Sequence, residues 1–265
     1  MPDSALNQAA GLLGISQAQG PTLIPMVSHG DDKTELPVLW QLCSMLVEMG
    51  YPIHVLDGTQ AESEENPGLR DLLDYRFGYA PPVADSPDWP VTASALGLQD
   101  LCNFSGHRPA PLQRIVPLFP AGSVVLLYAG ADILIKLLAE KEVRPLLCVS
   151  SEKNSLLTSY LALKRLLLKG GVEPLILNMM AESQTRGAAH SGALGNNLGE
   201  CARNFLGYEV KSLNIQAMAD RSIKSADLRG LVSRLLDCAA VLNHPVSSPP
   251  QAITGFAAGP MSRSH

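Results

Sequence analysis

Cysteine is sparse and scattered in this 265-residue chain: Cys43, Cys102, Cys148, Cys201 and Cys238 lie far apart, without a Cys-x-x-Cys or a Cys/His spacing. That excludes a recognisable zinc motif and leaves reduced core thiols as the reading. An excess of positive charge is also missing. Twenty Lys and Arg against 25 Asp and Glu give a formal charge of −5. Nothing supplies a basic surface that would release counterions, so sequence-independent nucleic-acid binding is excluded. No apolar run approaches the ~20 residues that span a bilayer, and the first residues lack a basic stretch followed by an apolar one. A cytosolic protein without direct membrane attachment is expected. The histidines have no mutual spacing that suggests ligands. There is no Gly-x-Ser-x-Gly elbow, and Ser28 and His29 beside Asp31 are chain neighbours rather than a triad.

What is present is ample apolar material, 46% of the residues, arranged in alternating patterns. Leu23 to Val27, Pro52 to Leu56, Ser123 to Tyr128, Arg144 to Ser150 and Glu173 to Met179 are short apolar runs suited to strands buried on both faces. Leu36 to Met49 and Ser155 to Lys169 have the three-and-four spacing of amphipathic helices, the second closed by Gly170-Gly171. Asn197 to Leu206, ended by Gly207, and Ser225 to Leu242 read as further helices, and a strand begins at Val210. The alternation predicts one α/β domain, a mostly parallel sheet with helices on both faces. Its bounds are 21–243, preceded by a segment 1–20 that holds a short helix and followed by a disordered tail, 244–265, rich in Pro, Ser, Ala and Gly. Pro81 to Pro90 is expected to be an extended surface connection.

Between the first strand and the first long helix lies Val27-Ser28-His29-Gly30-Asp31-Asp32-Lys33-Thr34. This is the strand-loop-helix context in which backbone N–H groups cradle a phosphate. The Lys-Thr pair of such a loop is present as Lys33 and Thr34, but Gly30 alone remains of its glycines. Asp31 and Asp32 stand in their place, and carboxylates repel a triphosphate while a Cβ resists the positive φ the loop needs. Other readings of these residues stay open. Lys33 fits a helix-start lysine and Thr34 or Asp32 an N-cap. Asp57 before Gly58 fits a turn, and Asn178 could satisfy backbone at a strand end.

The order of these signals, with Leu147 to Lys164 as a strand, a Ser-rich turn and a helix opening Ser-Leu-x-x-x-Tyr, and Leu175-Ile176-Leu177-Asn178-Met179 as the next strand, resembles the MinD/ParA family of deviant Walker-A ATPases. Asn7-Gln8-Ala9-Ala10-Gly11-Leu12-Leu13 resembles the N-terminal motif of that family's FlhG (FleN) branch, the flagellar number regulators. The resemblance implies a P-loop NTPase-like, MinD-type fold and an ATP site on Gly30, Lys33, Thr34, Asp57 and Asn178, the last facing adenine. It implies a partner, an FlhF-type GTPase, engaged through Gln8, Ala9 and Leu12. The departures imply loss of turnover. The family's second Asp after strand two falls on Thr59 and its Walker-B Asp on Tyr128, so the water positioner and the indirect metal anchor are both gone. A non-catalytic regulator of flagellar placement or number without a cofactor is therefore expected, with homodimerisation left open. The alternatives are an ATP-binding switch that retains magnesium and some ATPase activity, or another MinD-like accessory protein of cellulose synthesis or the septum site.

Overall fold

The computed structural model describes residues 20–74, 89–103, 110–139, 141–181, 198–218 and 222–242. The apolar runs become strands β1 (Thr22–Ser28), β2 (Ile53–Asp57), β4 (Val124–Gly130), β5 (Leu146–Ser150) and β6 (Leu175–Ala181). Short β3 (Val91–Ala93), β7 (Ser212–Ala217) and β8 (Ala240–Val241) complete one eight-stranded sheet. Its order is β3-β2-β4-β1-β5-β6-β7, parallel along this path, with β8 added antiparallel to the start of β1. Side chains alternate between faces, as the period of two requires. Ile24, Met26, Leu126 and Cys148 join one core with α1 (Asp32–Glu48) and, from the end of the chain, α6 (Ser225–Asp237). Leu23, Val27, Val125 and Leu147 join the other with the short α2 (Leu69–Leu73), α3 (Ala95–Asn103), α4 (Ala131–Leu138) and α5 (Lys153–Gly170). The expected α/β architecture, a mostly parallel sheet covered on both faces, is the one observed.

Two helix boundaries differ from expectation by more than two residues, and one helix differs in type. Helix α1 begins at Asp32 rather than Leu36, because the carbonyl of Asp31 accepts hydrogen bonds from Thr34 N–H at 2.9 Å and Glu35 N–H at 2.8 Å. The last helix stops at Asp237 instead of running to Leu242, and the chain turns into β8. The cause lies in β1. Thr22 N–H donates to Ser123 on the β4 side, so by alternation the nitrogen of Pro25 faces the β5 side, where proline offers no donor. There β1 pairs with β5 only at Met26, and β8 takes the vacant edge through Thr22 and Leu23. The third difference concerns the expected helix 197–206. Its described end, Ala202–Leu206, is a π-type turn closed by Gly207 at φ 73°.

Of the expected surface connection at 81–90, residues 81–88 lie outside the described part. Trp89 is buried, its ring 5.1 Å from that of Trp40. Residues 1–19, which include Gln8, Ala9 and Leu12, and the tail 244–265 also lie outside it. No helix among the described residues is long and apolar enough to cross a membrane.

Candidate functional site

The loop after β1 opens at the carboxyl edge of the sheet. There the chain leaves β1 toward β2 on one side, while β5 leads to β6 on the other. That divergence is where an open α/β sheet offers a crevice for a ligand. In this protein its own side chains fill the place. His29 lies across it, with its side chain 1% exposed. Its Nδ1 is 2.8 Å from Thr158 Oγ1 on α5, and its Nε2 is 2.8 Å from the Cys148 carbonyl oxygen on β5 and 3.2 Å from Glu35 Oε1. Because both neighbours of Nε2 are acceptors, that nitrogen carries a hydrogen and donates.

Glu35, on the first turns of α1, is fully buried. Its carboxylate turns back into the loop and accepts hydrogen bonds from the backbone N–H of Asp31 at 2.9 Å and of His29 at 3.2 Å. The hydroxyl of Tyr128, on β4, donates to Oε2. A buried carboxylate is tolerable only when its lone pairs are satisfied in this way. The preference of a helix N-terminus and converging N–H groups for negative charge, which elsewhere holds a phosphate, is spent on a side chain of the protein itself. Burial, followed by the hydrogen bond to Glu35, raises the Tyr128 phenol above its ordinary range, so it stays a donor. Burial, then the charges of Glu35 and Asp31, likewise raises the Cys148 thiol, which packs beneath the loop. A phosphate does not fit this arrangement, since a second anion would sit against the Glu35 carboxylate.

The residues expected to form an ATP site are only partly assembled. Gly30, Lys33 and Thr34 share one turn. Gly30 has φ 92°, with nothing within 4 Å of where a Cβ would stand, so conformation and not a close approach requires glycine there. Lys33 is exposed and Thr34 is buried. The N-cap is Asp31, not Asp32 or Thr34, and no side chain caps the helix through it; the Asp31 carboxylate instead accepts from Ser150 Oγ at 3.2 Å. Two strands to one side, roughly 10 Å away at ordinary strand spacing, the carboxylate of Asp57 accepts from Thr59 N–H at 2.9 Å and from the Thr59 hydroxyl at 2.6 Å. That is the turn reading. Thr59, where the resemblance expects a second Asp, thus caps Asp57.

Two strands to the other side, Asn178 is buried within β6. Its Nδ2 donates to Asn214 Oδ1 on β7 at 2.8 Å, and its own Oδ1 has no partner among the described residues. It bonds a side chain rather than the backbone at a strand end, which corrects that reading. Among the described residues no group of three or more His, Cys, Asp and Glu is placed to hold a metal ion.

Sequence reasoning missed Glu35. A partial signal was available: Asp32-Lys33-Thr34-Glu35 ahead of an apolar run has the spacing of a capping box, but the observed N-cap is Asp31, one residue earlier, and the glutamate reaches back to the N–H groups of Asp31 and His29.

No family model and no curated protein sequence matches the chain. Among solved structures it is similar to a plasmid partition protein from Borrelia burgdorferi, with 11% identity, a TM-score of 0.47, and 83% of this chain and 97% of that one covered. It is also similar to a ParA family ATPase from Chlorobium tepidum, with 11% identity, a TM-score of 0.45, and 82% and 97% covered. A third is the MinC:MinD cell division complex from Aquifex aeolicus, with 13% identity, a TM-score of 0.45, and 79% and 85% covered. At these identities and scores the likeness carries no function.

Proposed function

We propose that this chain is a non-catalytic, MinD/FlhG-like regulator of flagellar placement or number that acts through protein contacts. The observation that carries the non-catalytic part is the Glu35 carboxylate inside the loop, held by the N–H groups of His29 and Asp31. With Tyr128 and Thr59 where the resemblance expects acids, the indirect metal anchor and the residue that would orient a water are both replaced. The flagellar part rests on the resemblance of residues 7–13 to the FlhG motif, with Gln8, Ala9 and Leu12 as the face for an FlhF-type GTPase.

Titration with ATP and magnesium, followed by a phosphate-release assay, is expected to give neither turnover nor tight binding. Turnover that disappears in Lys33→Ala would overturn the reading. Deleting residues 1–20, or replacing Leu12 with Asp, is expected to leave the melting temperature nearly unchanged and weaken binding to an FlhF-type GTPase. A deletion that lowers the melting temperature markedly and leaves that binding intact would place the segment in the core.

One observation favours the rival reading of an ATP-binding switch, the buried Oδ1 of Asn178, which has no partner among the described residues. ATP binding without hydrolysis, lost in Asn178→Leu, would convert the scaffold into a nucleotide sensor.

A further inference from the structure

Helix α5 carries a face that its own domain does not use. Leu163, Leu166 and Leu167 point inward, yet Leu157, Leu161 and Leu168 are 59%, 45% and 55% exposed. Together with Lys164 these positions recur at intervals of four, three and four, the spacing that draws one narrow line down a helix and fits the seam of a second helix. The other exposed large apolar residues among those described are spread over several elements, none of which carries three. The charge around the line is mostly positive, the acids beside it being Glu152 at the N-cap and Asp132 on α4. The 18 residues of α5 include Lys153, Lys164, Arg165 and Lys169 and no acid, in a chain whose net charge is −5. Arg165 and Lys169 both lie 3.6 Å from the single carboxylate of Asp132, so their flank keeps a positive excess. Lys164 stands within the line, where its stem extends the apolar surface and its head stays in water.

We propose that the outward face of α5 docks an amphipathic helix of a partner protein whose apolar seam is flanked by acidic residues. Charge selects this occupant. A second copy of the chain, pairing face to face, would set the same cations against one another. A bilayer surface calls for a broad apolar face, whereas these leucines lie on one line. The helix is also held in place before any partner arrives, by packing on α4 and by the left-handed cap at Gly171, so little ordering opposes docking. The proposal makes no use of residues 7–13 and does not depend on the flagellar reading.

The test uses the full chain and fluorescent synthetic helices of about three heptads with Leu at a and d, one bearing Glu at e and g and its twin bearing Lys. The Glu helix is expected to bind and the Lys helix not. Leu161→Ser, and independently Leu157→Ser, should weaken binding about tenfold or more, a change of 1.4 kcal/mol or above, with an unchanged melting temperature. In Lys153→Glu/Lys164→Glu the preference should reverse toward the Lys helix. Equal binding of both helices, binding of neither, or indifference to both serine variants would overturn the proposal. Sedimentation with phosphatidylglycerol vesicles that Leu161→Ser abolishes would give the face to a membrane instead, and a dimer that the same change dissociates would give it to a second copy.

Discussion

A single carboxylate decides what the loop after β1 can hold. Glu35 satisfies the N–H groups of His29 and Asp31 and receives the Tyr128 hydroxyl, while His29 extends the network to β5 and α5. Removing it strands several donors in a site closed to water, and the cost of buried unpaired donors exceeds the modest net worth of the bonds themselves. Glu35→Ala is therefore expected to destabilise the fold by about 2–4 kcal/mol, read as a lower urea midpoint with an unchanged slope. Tyr128→Phe removes one donor and keeps the rest, so a smaller loss of about 1 kcal/mol is expected. If Glu35→Ala proves neutral, the carboxylate is not what holds the loop in shape.

At the scale of elements a second internal carboxylate plays a comparable part. Glu62 is buried after β2 and accepts from Leu96 N–H and Gly97 N–H at 2.7 Å each, in the first turn of α3. It also accepts from Arg70 N–H at 3.3 Å, in the first turn of α2. One side chain thus caps two helices whose N-termini converge, where a negative charge is favoured by both dipoles. The helices meet closely, since a Cβ on Gly97 would stand 2.8 Å from the Leu69 Cβ. Glu62→Ala is expected to cost about 2 kcal/mol or more. Hydrogen exchange should rise first at the amides of residues 69–73 and 95–98, while those of α5 and α6 keep their protection. Uniform loss of protection would mean that Glu62 supports the whole fold rather than these two helix starts.

For the molecule as a whole, the chain's last described strand closes the sheet. Strand β8 lies against β1, and Leu242, itself buried, donates its N–H to the Pro21 carbonyl at 2.9 Å, so the two ends of the domain leave it side by side. They do so at the amino edge of β1, a strand length from the loop. Truncation after Asn243 is expected to leave the melting temperature unchanged. Truncation after Cys238 removes both β8 and the buried Leu242 and should lower it by several degrees, as a loss of about 2–4 kcal/mol does in a domain of this size. Equal melting temperatures for the two truncations would show that β1 needs no cover on that edge.

The strands that cross the middle of the sheet are legible in the amino-acid order itself, because burial on both faces writes itself locally as a run of apolar residues. So are the helix before Gly171 and the position of the loop after β1, which depend on spacing along the chain. Less can be read at the margins. β3 is three residues long and β7 alternates in exposure, so neither makes an apolar run. β8 pairs with the start of β1, where β5 does not reach, and that partnership joins distant parts of the chain.

The content of the site lies further still from the sequence. Gly30, Lys33 and Thr34 lie together in the chain, but the carboxylate that fills their loop is defined by Tyr128, 93 residues away, and by His29 reaching a carbonyl 119 residues away. Local pattern determined which residues could build strands and helices and where the loop would fall. The glutamate that answers the loop's N–H groups is a near neighbour in the chain, but what completes its burial, the Tyr128 hydroxyl and the His29 bridge to β5, was decided only when β1, β4 and β5 came together, because a buried charge takes its remaining partners from space.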